Sequence, residues 1–164
     1  MKNYAMTSVE VREDRWNIPW VGNQTSSDLH LVTPTEMEEL RNALMKGKLP
    51  ADLEIKLRAL AQGSLLHQSV EQNCRLFTSL LLAAEQSSFN EASRADLDRL
   101  LRVLAYVRKE NDAISDFKPN GFVDDQQEVR AATNELGLLL RHFKDWRLRI
   151  QVPDLWTSHL RASA

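Results

Sequence analysis

A chain of 164 residues closes one core and leaves no room for two large domains. Hydrophobic residues at 43% and charged residues at 27% place it among folded chains, and 25 leucines against four isoleucines and ten valines favour helix over sheet. Five glycines and five prolines exclude a turn-rich sandwich, while a net charge of −2 and a pI near 6.1 weigh against bulk attachment to nucleic acid or anionic lipid.

Residues 1–32 show no sustained period and are expected to form an irregular or partly disordered arm, with Leu29–Val32 extended. Trp16 and Trp20 flank Pro19 there. Met1 to Arg15 is polar, so no secretory signal is expected. Cys74 is the single cysteine, which rules out an intrachain disulfide and suits a reducing compartment. The longest apolar run, Leu80 to Ala84, falls far short of the ~20 residues that span a bilayer, so a soluble protein of a bacterial-type cytoplasm is expected.

From Thr33 the pattern becomes helical. Thr33 and Glu36 form a capping box around Pro34; Met37, Leu40 and Leu44 follow on one face, and Gly47 stops the run. A second helix opens at Pro50, buries Leu53, Leu57 and Leu60, and ends at Gly63. Ser64 opens a third, whose stripe is Leu66, Val70, Cys74, Phe77, Leu81 and Ala84. Ser93 with Asp96 starts a fourth, facing inward through Leu97, Leu100, Leu101, Leu104 and Val107. After a polar connector at 108–122, Asp124 or Asp125 is expected to cap one long fifth helix through Val129, Ala132, Leu136, Leu139, Leu140 and Phe143. Pro153 is expected to end it, leaving a short tail over 151–164. The expected architecture is therefore all-α, a single bundle of four to five helices over 33–150.

Three surfaces carry candidate function. The connector region holds Glu110, Asp112, Asp116, Asp124, Asp125 and Glu128 against Lys118 alone. Oxygen ligands of this kind suit Mg²⁺ or Ca²⁺, which makes Asp112, Asp116, Asp124 and Asp125 metal candidates for a hydrolase-type enzyme. The spacing is not that of an EF-hand, and carboxylates near a helix start serve as caps at least as readily. The second surface is basic: Arg141, Lys144, Arg147 and Arg149 surround Trp146 and offer a nucleic-acid reading. Against it stands dipole compensation near a helix C-terminus, with Trp146 packed on the core. The third is aromatic, with Trp16, Trp20 and Trp156 as partner-binding anchors or as rings folded back on the bundle.

His30, His67, His142 and His159 include no i, i+4 pair; His67 and His142 could meet across two helices, but two ligands without a third are a weak metal signal, and Cys74 has no CxxC partner. No nucleophile elbow or phosphate-binding glycine loop is present, and no cofactor is expected. The leading expectation is a non-enzymatic helical interaction module with a protein partner. Homo-oligomerisation is left open, and nucleic acid is disfavoured.

Tyr106, Asp112, Ile114, Asp116, Pro119, Gly121, Phe122, Asp124 and Asp125, read in order, resemble the signature of the YkvA-like bacterial family across about 95–145. Ser115 stands where that family usually has proline. The resemblance implies a small helical domain of no established activity; read from the residues themselves, the turn folds the fourth and fifth helices into a hairpin with Ile114, Phe117 and Phe122 as apolar plugs.

Overall fold

Thr33 accepts the Glu36 N–H while the Glu36 carboxylate accepts the Thr33 N–H at 2.7 Å, and this box starts helix α1, Pro34–Met45. A computed structural model describes residues 31–109 and 122–161, with side chains as far as residue 150. Five helices follow α1: α2 Ala51–Ala61, α3 Leu65–Glu85, α4 Arg94–Arg108, α5 Val123–Glu135 and α6 Gly137–Arg161. The described residues are all-helical and contain no strand, and the helices number six rather than four or five.

Two boundaries differ from the sequence reading. The expected long fifth helix is broken at Leu136, where φ −100° and ψ 18° separate α5 from α6. Hydrogen bonds still run from Leu136 N to Ala132 O and from Leu140 N to Leu136 O, both 2.9 Å, so the break is a bend rather than a loop. Gly137 is a weak helix former, and Thr133 turns its hydroxyl back onto the Val129 carbonyl at 2.8 Å, an arrangement that bends helices. The second difference is Pro153, which does not stop α6; the helix continues through 151–161, where a tail was expected. Proline removes one N–H and crowds the preceding turn, yet its φ near −65° is itself helical.

The core joins all six helices. The predicted stripes bury as expected in α1, α2 and α4, with Leu97 only half-buried. Helix α3 packs against α1, α2, α4 and α5, so it buries a wider arc than its stripe, including Leu76, Thr78, Leu80 and Ala83. Leu66, placed on the stripe from the sequence, is instead 59% exposed. Val32, assigned to the arm, is buried, and Leu31 lies in a tight helical turn rather than in extended chain. Residues 1–30 are outside the described part, and with them Trp16 and Trp20.

The α3–α4 corner places a further core residue. Ser87 has φ 55°, and the next two N–H groups, of Ser88 and Phe89, bond back to the Ala83 carbonyl at 3.0 and 3.2 Å. That left-handed step aims Phe89 inward, where it is 2% exposed. Phe89 then stacks edge-on to Phe143 at 5.1 Å between ring centroids and meets Trp146 at 5.4 Å, which seats the first half of α6. Glu54 of α2 takes a fork from Arg75 of α3, at 3.1 and 3.2 Å, and a third bond from Arg58.

Two tests follow from this geometry. A side chain with a Cβ is strained at φ 55°, so Ser87→Gly is expected to raise stability by about 0.5–1 kcal/mol in urea unfolding. Hydrogen bonds from Arg75 and then Arg58 hold the Glu54 carboxyl below its ordinary value of 4.5. Its contribution is therefore fully present above pH 4.5 and is lost as pH falls through the lower folded value. The stability difference between wild type and Glu54→Gln should be constant near neutrality and shrink on acidification.

Candidate functional site

The acids that drew attention in the sequence lead to the junction of α2, α4 and α5. Helix α5 has no side-chain cap: its N-cap is Phe122, and Asp124 and Asp125 are the second and third helical residues. Both are buried, at 4% and 0% exposure, and neither is the N-cap expected from the sequence. Their backbone position sets them on the inward side of the first turn, with Glu128, Val129 and Ala132 one and two turns on. Their negative charge still complements the positive end of the helix dipole.

Each carboxylate has an assigned partner. The Tyr106 hydroxyl donates to Asp124 Oδ2 at 2.9 Å from the last turn of α4. The Lys56 ammonium, from the inward face of α2, lies 2.8 Å from Asp125 Oδ2. Lys56 also donates to the Lys109 carbonyl at 2.9 Å and sits 5.6 Å from the centre of the Phe122 ring. One lysine thus engages both Lys109 and Phe122, the residues that bracket the connector. Phe122 in turn meets the edge of His67 at 5.3 Å, and His67 approaches so closely that a Cβ on Gly63 would fall 2.4 Å from its Nδ1. His142 has a different partner, Glu91 at 3.0 Å, so the two histidines do not form a joint ligand pair.

Cys74 faces this junction from α3 and is wholly buried. Burial, and next the Asp125 charge, push its thiol well above the usual range, while the Lys56 charge opposes them. A thiol so placed is a core hydrophobe rather than a nucleophile.

As a chemical device the junction is closed. Asp125 already meets a full positive charge at 2.8 Å, the role a divalent cation would otherwise fill. Among the described residues no group of three His, Cys, Asp or Glu side chains is arranged to hold a metal ion. Asp112 and Asp116 lie outside the described residues. Also outside them are Ile114 and Phe117, so of the three expected apolar plugs only Phe122 is placed, half-buried between Lys56 and His67.

The basic group behaves differently. Arg141, Lys144, Arg147 and Arg149 are all exposed, and none enters an ion pair among the described residues. They stand in the interior of α6, not in its last turn, because the helix continues to Arg161; dipole compensation at a C-terminus is therefore not their role. Trp146 packs on the core beside them, its ring stacked on Phe143 at 5.6 Å and 19°, with the Arg147 guanidinium 5.9 Å from the Phe143 centre. Leu148 and Ile150, which the sequence reading did not single out, are 62% and 50% exposed. Trp156 lies on α6, beyond the described side chains.

Among the described residues no helix is long and apolar enough to cross a membrane. Comparison with protein-family models, with curated proteins and with solved structures finds no match to this chain, so the resemblance of 95–145 to the YkvA-like family has no independent support.

Removing one partner of a buried ion pair leaves the other charged in a poor solvent, a loss of about 3–5 kcal/mol. Lys56→Met and Asp125→Leu should each destabilise the fold on that scale in urea unfolding, and the double variant should recover much of the sum. Tyr106→Phe, which deletes a hydrogen bond to a carboxylate, is expected to lose about 1.5–3 kcal/mol.

Proposed function

We propose that the chain is a non-enzymatic helical module that engages a protein partner. The observation that carries this reading is the fate of the candidate reactive groups: Asp124 and Asp125 are buried and engaged by Tyr106 and Lys56, and Cys74 is wholly enclosed. A substrate at the α2–α4–α5 junction would have to displace core packing and separate a buried ion pair, at a cost of several kcal/mol. Function then belongs on the surface, where recognition needs no buried reactive group.

Trp16, Trp20 and Trp156 are retained in this reading as partner anchors. The YkvA-like resemblance agrees with a helical accessory domain and adds no catalytic residue to it. A second reading, nucleic-acid binding, is favoured by one specific observation: Arg141, Lys144, Arg147 and Arg149 are exposed and enter no ion pair among the described residues. A net charge of −2 makes counterion release from such a contact small and confined to α6.

The test is affinity purification of the tagged chain from an extract of its source cells, with the recovered proteins quantified. A protein retained in stoichiometric amount supports the module, and Trp20→Ala or Trp156→Ala should reduce its recovery at unchanged melting temperature. Calorimetric heat on adding millimolar Mg²⁺, Mn²⁺ or Ca²⁺, abolished by substituting Asp112 and Asp116, would replace this reading with the metal-dependent one. Salt-sensitive retention of DNA or RNA without a protein partner would replace it with the second.

A further inference from the structure

Between α1, α3 and α4 runs a groove floored by Leu44, Leu81, Leu97 and Leu101 and bordered on α4 by Arg94 and Asp98. Arg41 and Glu85 also border it, and they neutralise one another at 2.9 Å. Asp98 meets Arg102 of its own helix at 3.3 Å, an exposed pair worth at most about 1 kcal/mol, so it is free to exchange partners. Arg94 is exposed and enters no ion pair among the described residues. The groove is thus apolar below and carries one unmatched charge at its border.

A matching row lies on the solvent side of α6. Leu138 is 66% exposed, and Arg141 and Asp145 are exposed and enter no ion pair among the described residues. Leu138, Arg141 and Asp145 follow one another at steps of three and four; Arg94, Asp98 and Leu101 do so at steps of four and three. At 3.6 residues per turn each set falls within about 60° of arc, so each makes one face of its helix. Read from its N-terminal end, α6 presents an aliphatic group, a cation and an acid. Read from its C-terminal end, α4 presents an aliphatic group, an acid and a cation at the same intervals. Antiparallel apposition therefore sets Leu138 on Leu101, Arg141 on Asp98 and Asp145 on Arg94 in a single register, since each residue advances either helix by about 1.5 Å.

We propose that this face of α6 docks in the α1–α3–α4 groove of a second copy of this chain. The contact goes beyond the module reading above and does not depend on it. Charge complementarity selects the occupant: Asp145 supplies the carboxylate that Arg94 lacks, Arg141 meets Asp98, and Leu138 covers the leucine floor beside both pairs. Lys144 lies about 100° round the helix from Asp145 and so stands off the row. A nucleic-acid strand is opposed at this groove by the carboxylates of Glu85 and Asp98. Groove and α6 face are different surfaces, so the contact is heterologous, and each copy offers one of each. Three residues a side make a small interface, and the association is correspondingly weak and concentration-dependent.

The experiment is sedimentation velocity of the purified full chain from about 10 µM to about 500 µM, the range in which small interfaces associate. The weight-average sedimentation coefficient should rise with concentration, and rise less in about 0.5 M salt. Arg94→Asp and Asp145→Arg should each weaken self-association about tenfold or more, because each sets two like charges in contact. An equimolar mixture of these two variants should regain it, since the groove of the first then meets the α6 of the second with opposite charge. Leu138→Ser should weaken it as well, and circular dichroism and unfolding midpoint should be unchanged in all three variants. The contact is overturned by a monomer at every concentration, by variants that associate as the wild type does, or by a mixture no better than its components. A different protein recovered in stoichiometric amount from cells, with the purified chain monomeric, would overturn this contact and leave the module reading standing. Charge-reversible self-association with no other protein retained would keep this contact and remove a separate partner.

Discussion

Lys56 brings a full positive charge to the meeting point of three helices at 8% exposure, and much of the remaining architecture can be traced from how that charge is matched. A bare ammonium there would cost several kcal/mol in lost hydration. Asp125 answers it from α5, the Lys109 carbonyl from the end of α4, and the Phe122 ring from the residue before α5. These contacts have direction, unlike the leucine packing around them, and so they select one arrangement of α2, α4 and α5 among the several that would bury similar apolar area. Asp124 and Tyr106 repeat the device one residue away. The cost of buried charge is accepted in return for a fixed corner.

The same matching explains why the acidic residues and the basic residues play unequal parts. Acids on the inward side of α5 are drawn into the core and lose access to solvent, so their density in the sequence overstates their chemical availability. Among the described residues Arg141, Lys144, Arg147 and Arg149 of α6 are exposed and enter no ion pair, whereas His142 of the same helix meets Glu91 at 3.0 Å. The Phe89–Phe143–Trp146 cluster marks the last secure contact. Past it, α6 exposes Leu148 and Ile150 together with Arg147 and Arg149.

Much of the fold was legible in the chain itself. Capping boxes at Thr33–Glu36 and Ser93–Asp96, the Ser64 cap and the glycines after α1 and α2 mark helix ends by local hydrogen bonding, which depends only on neighbouring residues. The leucine stripes of α1, α2 and α4 mark their buried faces for the same reason, since a helix of fixed pitch has only one way to group them. The bend at Leu136 was less visible, because Gly137 inside a periodic run weakens a helix without saying whether it breaks.

What only the tertiary structure decided is whatever depends on residues far apart in sequence. Asp125 reads as a cap until Lys56, some seventy positions earlier, is placed against it; Phe89, between Ser88 and Asn90, shows no sign of burial until the left-handed step at Ser87 carries it against Phe143. Periodicity reports the face a helix turns inward, and it cannot report where the neighbouring helices stop. Leu66 was expected inside and lies outside, and only the assembled bundle shows that Arg141, Lys144, Arg147 and Arg149 are exposed and enter no ion pair among the described residues.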